Sequence, residues 1–289
     1  MSIQPKDSNS GGGETREDAV KRIANDLLSK LPDSFDKNRT KIMIQKQGGS
    51  KPLNIFLSQE IDRMQTVISI VKSTLGDLKL AIDGTIIMAS ALQNALDALY
   101  DARVPDTWVK ISWQSSTLGL WYSEFLSRVA QYQTWLYDGR PLVFWLSGFF
   151  NPQGFLTAIR QEITRAHAGW ALDGVKLAPE VTKQMKEDIT APPSEGLYIH
   201  GLFIEGAGWD RKNIRLTESL AKVIFQAMPV IHISASIASD EADPRLYRCP
   251  VYRRPRRTDL NYIFDVDLKT TQNPDYWILR GVAFLCATS

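Results

Sequence analysis

Eight apolar residues set in register constrain this chain more than any other feature. Leu57, Ile61, Met64, Ile68, Val71, Leu75, Leu78 and Ile82 advance in alternating steps of four and three. Steps of that kind keep one face of an α-helix apolar, and a seam this long asks for another helix against it. The spacing therefore predicts a long helix whose seam is core, interrupted at Asp83-Gly84.

Shorter periodic stretches flank it. Thr15 and Asp18 have the spacing of a capping box, in which a hydroxyl and a carboxylate satisfy orphan amides reciprocally. Val20, Ile23, Ala24, Leu27, Leu28 and Leu31 then follow the helical period until Pro32 stops it, and a loop through Gly48, Gly49 and Pro52 leads to the seam. Met88, Leu92, Leu96 and Leu99 predict a further helix, and Leu118, Trp121, Phe125, Val129, Tyr132 and Trp135 another. Near Gly139 the pattern changes. Leu142–Trp145 is of strand type, and Asn151-Pro152 pairs an N-cap residue with a first-turn proline ahead of a helix over Phe155–Ala166. Beyond Pro192-Pro193, strands are predicted at Leu197–Ile204, Val230–Ser234, Tyr247–Tyr252, Tyr262–Leu268 and Trp277–Leu285, with weaker ones at Val175–Leu177 and Lys222–Phe225. Helices first and short strands later make an α+β fold, its second part a small antiparallel barrel or sandwich. The polar, Gly/Ser-rich residues 1–13 read as a flexible linker and not as a signal peptide.

Composition excludes some functions. With 34 Lys plus Arg against 32 Asp plus Glu, no whole-chain field favours nucleic acid or an anionic membrane. No apolar run approaches the ~20 residues that span a bilayer. Cys249 and Cys286 lack a CxxC partner or a nearby His and read as free thiols. No GxxxxGK[ST] cradle for nucleotide phosphates is present, and no GxSxG elbow marks a nucleophilic serine. Gly206-Ala207-Gly208 reads as a tight hairpin and not as a dinucleotide fingerprint, because the residues after it are β-like. His200 and His232 fall on predicted strands and could face each other, but no further metal ligands can be nominated. No catalytic, cofactor-binding or metal-ligating residue is assigned.

One charge cluster remains as a candidate site. Arg253, Arg254, Arg256 and Arg257 surround Pro255 between two predicted strands, an anion-attracting loop suited to docking an acidic protein surface. The alternative is a solvated turn whose arginines pair with carboxylates such as Asp259.

Eight segments carry a family resemblance. PLNIFLSQEIDRMQ (Pro52–Gln65), LAIDGTIIM (Leu80–Met88), FWLSGFFNPQGFLTAIRQEITRA (Phe144–Ala166) and GLFIEGAGWDRKN (Gly201–Asn213) resemble the C-terminal domain of dynein heavy chains. MPVIHI (Met228–Ile233), DPRLYRCPVY (Asp243–Tyr252), RTDLNYI (Arg257–Ile263) and WILRGVAFLC (Trp277–Cys286) continue the match in order. The DGTII and NPQGF wording is most similar to axonemal heavy chains of the outer-arm type, while residues 14–50 resemble the border with the preceding AAA+ module. The RRPRR loop is more basic than the family pattern.

The resemblance implies a C-terminal domain over 51–289, mainly helical over 51–170 and mainly β over 171–289, the β part an incomplete antiparallel barrel. It implies a non-catalytic regulatory module without cofactors, lying on the AAA+ ring of the same heavy chain and tuning an ATP-driven microtubule motor of the ciliary or flagellar axoneme. Partners would be the AAA+ modules, microtubules through the parent motor, and other axonemal dynein subunits, with neither nucleic acid nor membrane among them. Two other readings stand beside it: a freestanding module that holds an acidic partner through Arg253–Arg257, and a hydrolase with an unrecognised site.

Overall fold

Residues 14–237 and 243–288 are described by a computed structural model, so the linker read over residues 1–13 lies outside them. The chain forms two compact units, each discontinuous in sequence: Met1–Asp33 with Thr66–Tyr122, and Ser34–Gln65 with Ser123–Ser289.

The first unit is helical. Helix α1 (Arg16–Ser29) starts where Thr15 accepts a hydrogen bond from the Asp18 amide, but the return arm differs from a full capping box. The Thr15 hydroxyl itself donates to the Asp18 carboxylate at 2.7 Å. Val20, Ala24 and Leu27 are buried. Helix α2 (Lys37–Lys46), in the second unit, replaces part of the expected loop: Asp36 caps it by accepting from the Arg39 amide at 2.7 Å. Its weak apolar periodicity, with Ile42 exposed, is why the sequence pattern misses it. Helix α3 (Pro52–Ile82) carries the seam, and it runs through both units. All seam residues from Leu57 to Leu78 are buried, and only Ile82 at the end is partly exposed. Leu53, Phe56, Val67 and the carboxylate of Glu60 are buried as well, so the stripe is broader than a two-helix seam and belongs to a globular core.

Helices α4 (Ser90–Tyr100) and α5 (Asp106–Ile111) complete the first unit with the start of α6 (Leu118–Tyr137). The Arg16 guanidinium meets Asp97 at 2.5 Å, and the Tyr122 hydroxyl donates to the Leu27 carbonyl at 2.6 Å. The Trp121 ring lies 5.1 Å from Trp108 and 5.3 Å from Trp113, an indole stack that fills the space beside α5.

The second unit holds the strands. They are β1 (Val143–Trp145), β2 (Val175–Val181), β3 (Leu197–His200), β4 (Phe203–Glu205), β5 (Gly208–Asp210), β6 (Arg215–Thr217), β7 (Phe225–Ala227), β8 (Ile231–Ile237), β9 (Leu246–Tyr252), β10 (Tyr262–Lys269) and β11 (Ala283–Leu285). Helix α7 (Pro152–Ala166) follows β1, and α8 (Pro274–Leu279) precedes β11. The strands form sheets in the orders β1-β3-β8-β2 and β10-β9-β11-β4-β7, plus the pair β5-β6, and none closes into a barrel. The α+β class holds, with two departures from a purely antiparallel arrangement: β1 pairs with β3, and β11 with β9, in parallel. Phe56, Trp135, Phe144, Phe149 and Phe155 form the aromatic centre of this unit, with Phe149–Phe155 at 4.5 Å and Trp135–Phe144 at 4.8 Å.

Three sequence expectations are corrected here. The single strand over Leu197–Ile204 is two strands in different sheets, broken at Gly201. Its φ of 92° and a position where a Cβ would stand 2.4 Å from the Trp145 ring leave room for glycine alone. The strand over Trp277–Leu285 begins as α8, because Asn273 accepts from the Asp275 amide ahead of Pro274. That is the same Asn-Pro start that opens α7. Gly206-Ala207-Gly208 is no hairpin, since β4 and β5 pair with different partners. Only Gly206 of its glycines has positive φ, and it makes a corner between sheets.

Candidate docking site

A buried carboxylate organises the neighbourhood of the arginine loop. Glu60, 1% exposed on α3, accepts from the Phe150 amide at 2.6 Å, the Asn151 amide at 3.1 Å and the Tyr132 hydroxyl at 2.9 Å. It thereby ties α3 and α6 to the turn that starts α7. Burial raises its pKa against the pull of these donors, and Arg63 stands 3.9 Å away. Burial likewise drives the Tyr132 phenol well above its usual range. On α6 the Arg128 guanidinium donates to the Ser147 carbonyl at 2.9 Å and lies 4.8 Å from the centre of the Trp145 ring. Burial lowers its pKa.

The four loop arginines separate in space and in role. Arg257 turns inward, donating to the Glu205 carboxylate of β4 and to the Gly281 carbonyl after α8. Its partner is therefore Glu205, and Asp259 is exposed. Arg256 is exposed on the loop, and its carbonyl accepts from the Asn261 side chain at 2.9 Å. Arg254 is half-buried. Arg253 is half-buried too: its amide donates to the Asn261 carbonyl at 2.8 Å, but its guanidinium makes no hydrogen bond or ion pair to a described residue. Burial, with Arg254 and Arg63 nearby, lowers its pKa.

The remaining chemistry-bearing residues are dispersed. Cys249 and Cys286 are buried free thiols, and burial raises both, Cys286 to about 12. His200 and His232 lie on neighbouring strands, with Tyr198 opposite His232 and Trp145 opposite His200. His232 Nε2 is 2.7 Å from the Glu195 carbonyl, and His167 stacks on Trp170 at 4.1 Å. Among the described residues no group of three or more His, Cys, Asp or Glu converges, and no helix is long and apolar enough to cross a membrane.

Comparison with known proteins fits this architecture to one family. A family model for the C-terminal domain of the dynein heavy chain matches residues 1–286. The chain belongs to that family. It is 59% identical over 286 residues to dynein axonemal heavy chain 5 of Mus musculus, covering 99% of this chain and 6% of that protein. Dynein axonemal heavy chain 8 of Homo sapiens is 58% identical over 98% of the chain, and the flagellar outer arm dynein gamma chain of Chlamydomonas reinhardtii 43% identical over 99%. In each case the chain spans 6% of the length of the relative.

Sequence reading located only part of the charge around the arginine loop. It missed Arg63, Arg128 and Glu60. A signal for Glu60 existed: it lies three residues after Leu57 and four before Met64, on the apolar stripe itself. A carboxylate there must find buried donors. Arg128, beside Val129 in α6, carried no such mark.

Proposed function

We propose that this dynein C-terminal domain is a non-catalytic regulatory and structural module of an axonemal heavy chain, packing on the AAA+ modules of the same polypeptide. It tunes ATP-driven motility on microtubules in the axoneme of a cilium or flagellum, where other axonemal dynein subunits are further partners. The observation that carries the reading is uncovered apolar surface in a member of a family whose relatives are far longer. Ile278 and Leu279 of α8 are 61% and 89% exposed, and Leu220 and Ile224 of the β6–β7 connection 63% and 68%. Glu218 holds that connection to α8, accepting from the Tyr276 hydroxyl and the Arg280 guanidinium, each at 2.5 Å. Large apolar side chains held out on a fixed platform are the mark of a surface that another surface covers.

The perturbed ionisable groups fit a structural role as well. Glu60 and Tyr132 bond to each other and to backbone groups, and Arg128 donates to the Ser147 carbonyl and to the Glu124 carboxylate. A module of this kind acts by favouring some arrangements of its neighbours over others, and its influence is bounded by the difference in its binding free energy between them. Side-chain footprinting of the isolated chain and of the intact motor domain tests the packing. Leu220, Ile224, Ile278 and Leu279 label strongly in the isolated chain and are protected in the motor. Equal labelling in both refutes packing through this surface.

A further inference from the structure

A carbonyl can only accept a hydrogen bond, so a carbonyl beside a histidine ring fixes which ring nitrogen carries the proton. At the end of α7, His167 places Nδ1 3.0 Å from the Ile163 carbonyl. Nδ1 therefore holds the proton, and Nε2 of the neutral ring is left as an acceptor. It faces another acceptor, the Glu195 carboxylate, 3.4 Å away. Unless the ring takes a second proton, no hydrogen lies between them. The ring is held by stacking on Trp170 with centroids 4.1 Å apart, and the Glu195 carbonyl accepts from His232 Nε2 at 2.7 Å. Both groups line a pocket of about 370 Å³. Its apolar wall is Leu53 of α3, Ile159 and Ile163 of α7, and Leu197 of β3. The cation in it, Arg140, is paired with Glu162, which also accepts from the Leu53 amide at 3.3 Å. Among the described residues Glu195 meets no cation but His167. An acceptor pair and an unanswered carboxylate thus stand beside an apolar wall.

We propose that this pocket receives an arginine side chain from a partner protein, its guanidinium donating to both Glu195 and His167 Nε2. The stem of the arginine lies on Leu53, Ile159 and Ile163, as long charged side chains lie on apolar surface while the head stays at the water boundary. A guanidinium carries several N–H donors in one plane and stays protonated, so it answers two acceptors at once and supplies the missing positive charge. An ammonium is a point charge and fits the pair less well. A metal ion would need further ligands, and among the described residues no three His, Cys, Asp or Glu converge. The volume is at the small end of ligand pockets, which favours one side chain over a larger molecule. The pocket shares no residue with the apolar surface of α8 and does not depend on it.

A dye-labelled peptide with one arginine between glycines tests the proposal by anisotropy with the full 289-residue protein. The same peptide with citrulline, which keeps the shape and loses the charge, should bind about tenfold more weakly or worse. Glu195→Gln should weaken the arginine peptide by a similar factor. His167→Phe, which keeps a ring against Trp170 and loses Nε2, should weaken it in the same direction. Asp259→Asn, at an exposed carboxylate of the β9–β10 loop, should leave binding unchanged. Two readouts separate recognition from folding. Without peptide, Glu195→Gln should melt no lower than the unaltered protein, because its amide can donate to Nε2 where the carboxylate could not. Ring nitrogen shifts of His167 in the free protein, in neutral buffer, should show a proton on Nδ1 alone. Protons on both nitrogens overturn the site, since His167 would then answer Glu195 itself. Equal binding of the arginine and citrulline peptides overturns it, as does undiminished binding by Glu195→Gln. A lowered melting temperature of that variant would make Glu195 a fold anchor and overturn it too. A lysine peptide binding as tightly as the arginine peptide overturns the assignment to arginine.

Discussion

At the residue scale, His200 gives the molecule a pH dependence of known sign. Burial pushes its imidazole down to about 4, with Lys186 acting in the same direction and Glu187 against it. The unfolded chain therefore binds a proton near 6.5 that the folded chain refuses until about 4. Stability from this group is present above pH 6.5 and lost as pH falls towards 4. Glu60 contributes the opposite slope just above its ordinary value, because its folded carboxyl holds a proton more tightly than the unfolded one. That contribution cancels when His200→Gln is compared with the unaltered protein. Chemical denaturation between pH 7 and 4.5 should show a flatter profile for the variant, and parallel profiles would refute the assignment. Glu60→Ala should destabilise by about 3 kcal/mol, since it strands the donors of Tyr132, Phe150 and Asn151. Within the arginine loop, Arg257→Gln should cost about 1–2 kcal/mol by removing a part-buried partner of Glu205. Arg256→Gln should cost about 0–0.5 kcal/mol at an exposed site. Equal melting of these two variants would show that the loop is not anchored through Arg257. A treatment of all four arginines as interchangeable exposed charges fails on this pair.

Among the elements, α3 decides most. Ile68→Asp buries an unpaired carboxylate in the stripe and should cost on the order of 4 kcal/mol, while the exposed neighbour Ser69→Asp should cost little. Similar unfolding of the two by heat would place the stripe on the wrong face. This helix was legible because its 31 residues repeat one pattern many times over. The strands β4, β5, β6 and β7 span three residues each, too short for alternation to rise above chance, and β4 takes a partner, β11, from far along the chain. The parallel pairing of Val143 with Tyr198 has no local trace at all. Helix α8 was legible in principle, since Asn273-Pro274 repeats the start of α7, but the apolar residues after it read as a strand. Propensity lost there to capping. The candidate site divides in the same way. Its charge is plain in the sequence, while its partners are not: Arg257 meets Glu205 across 52 residues, and Glu60 meets Phe150 across 90.

At the scale of the whole molecule, the chain spans 6% of the length of its relatives, and the regulatory role proposed for it would pass through surfaces shared with the rest of such a polypeptide. Such couplings are typically about 1–3 kcal/mol, enough to change a rate or a population about 5- to 150-fold without supplying chemistry. The decisive comparison is between an intact motor domain and one truncated before Pro52, measured by basal ATPase, microtubule-stimulated ATPase and single-molecule motility. A non-catalytic regulatory module predicts that the truncated motor still hydrolyses ATP while its stimulated rate, run length or force shifts. A folded truncated motor that has lost basal hydrolysis, or one unchanged in every motile parameter, would contradict that role.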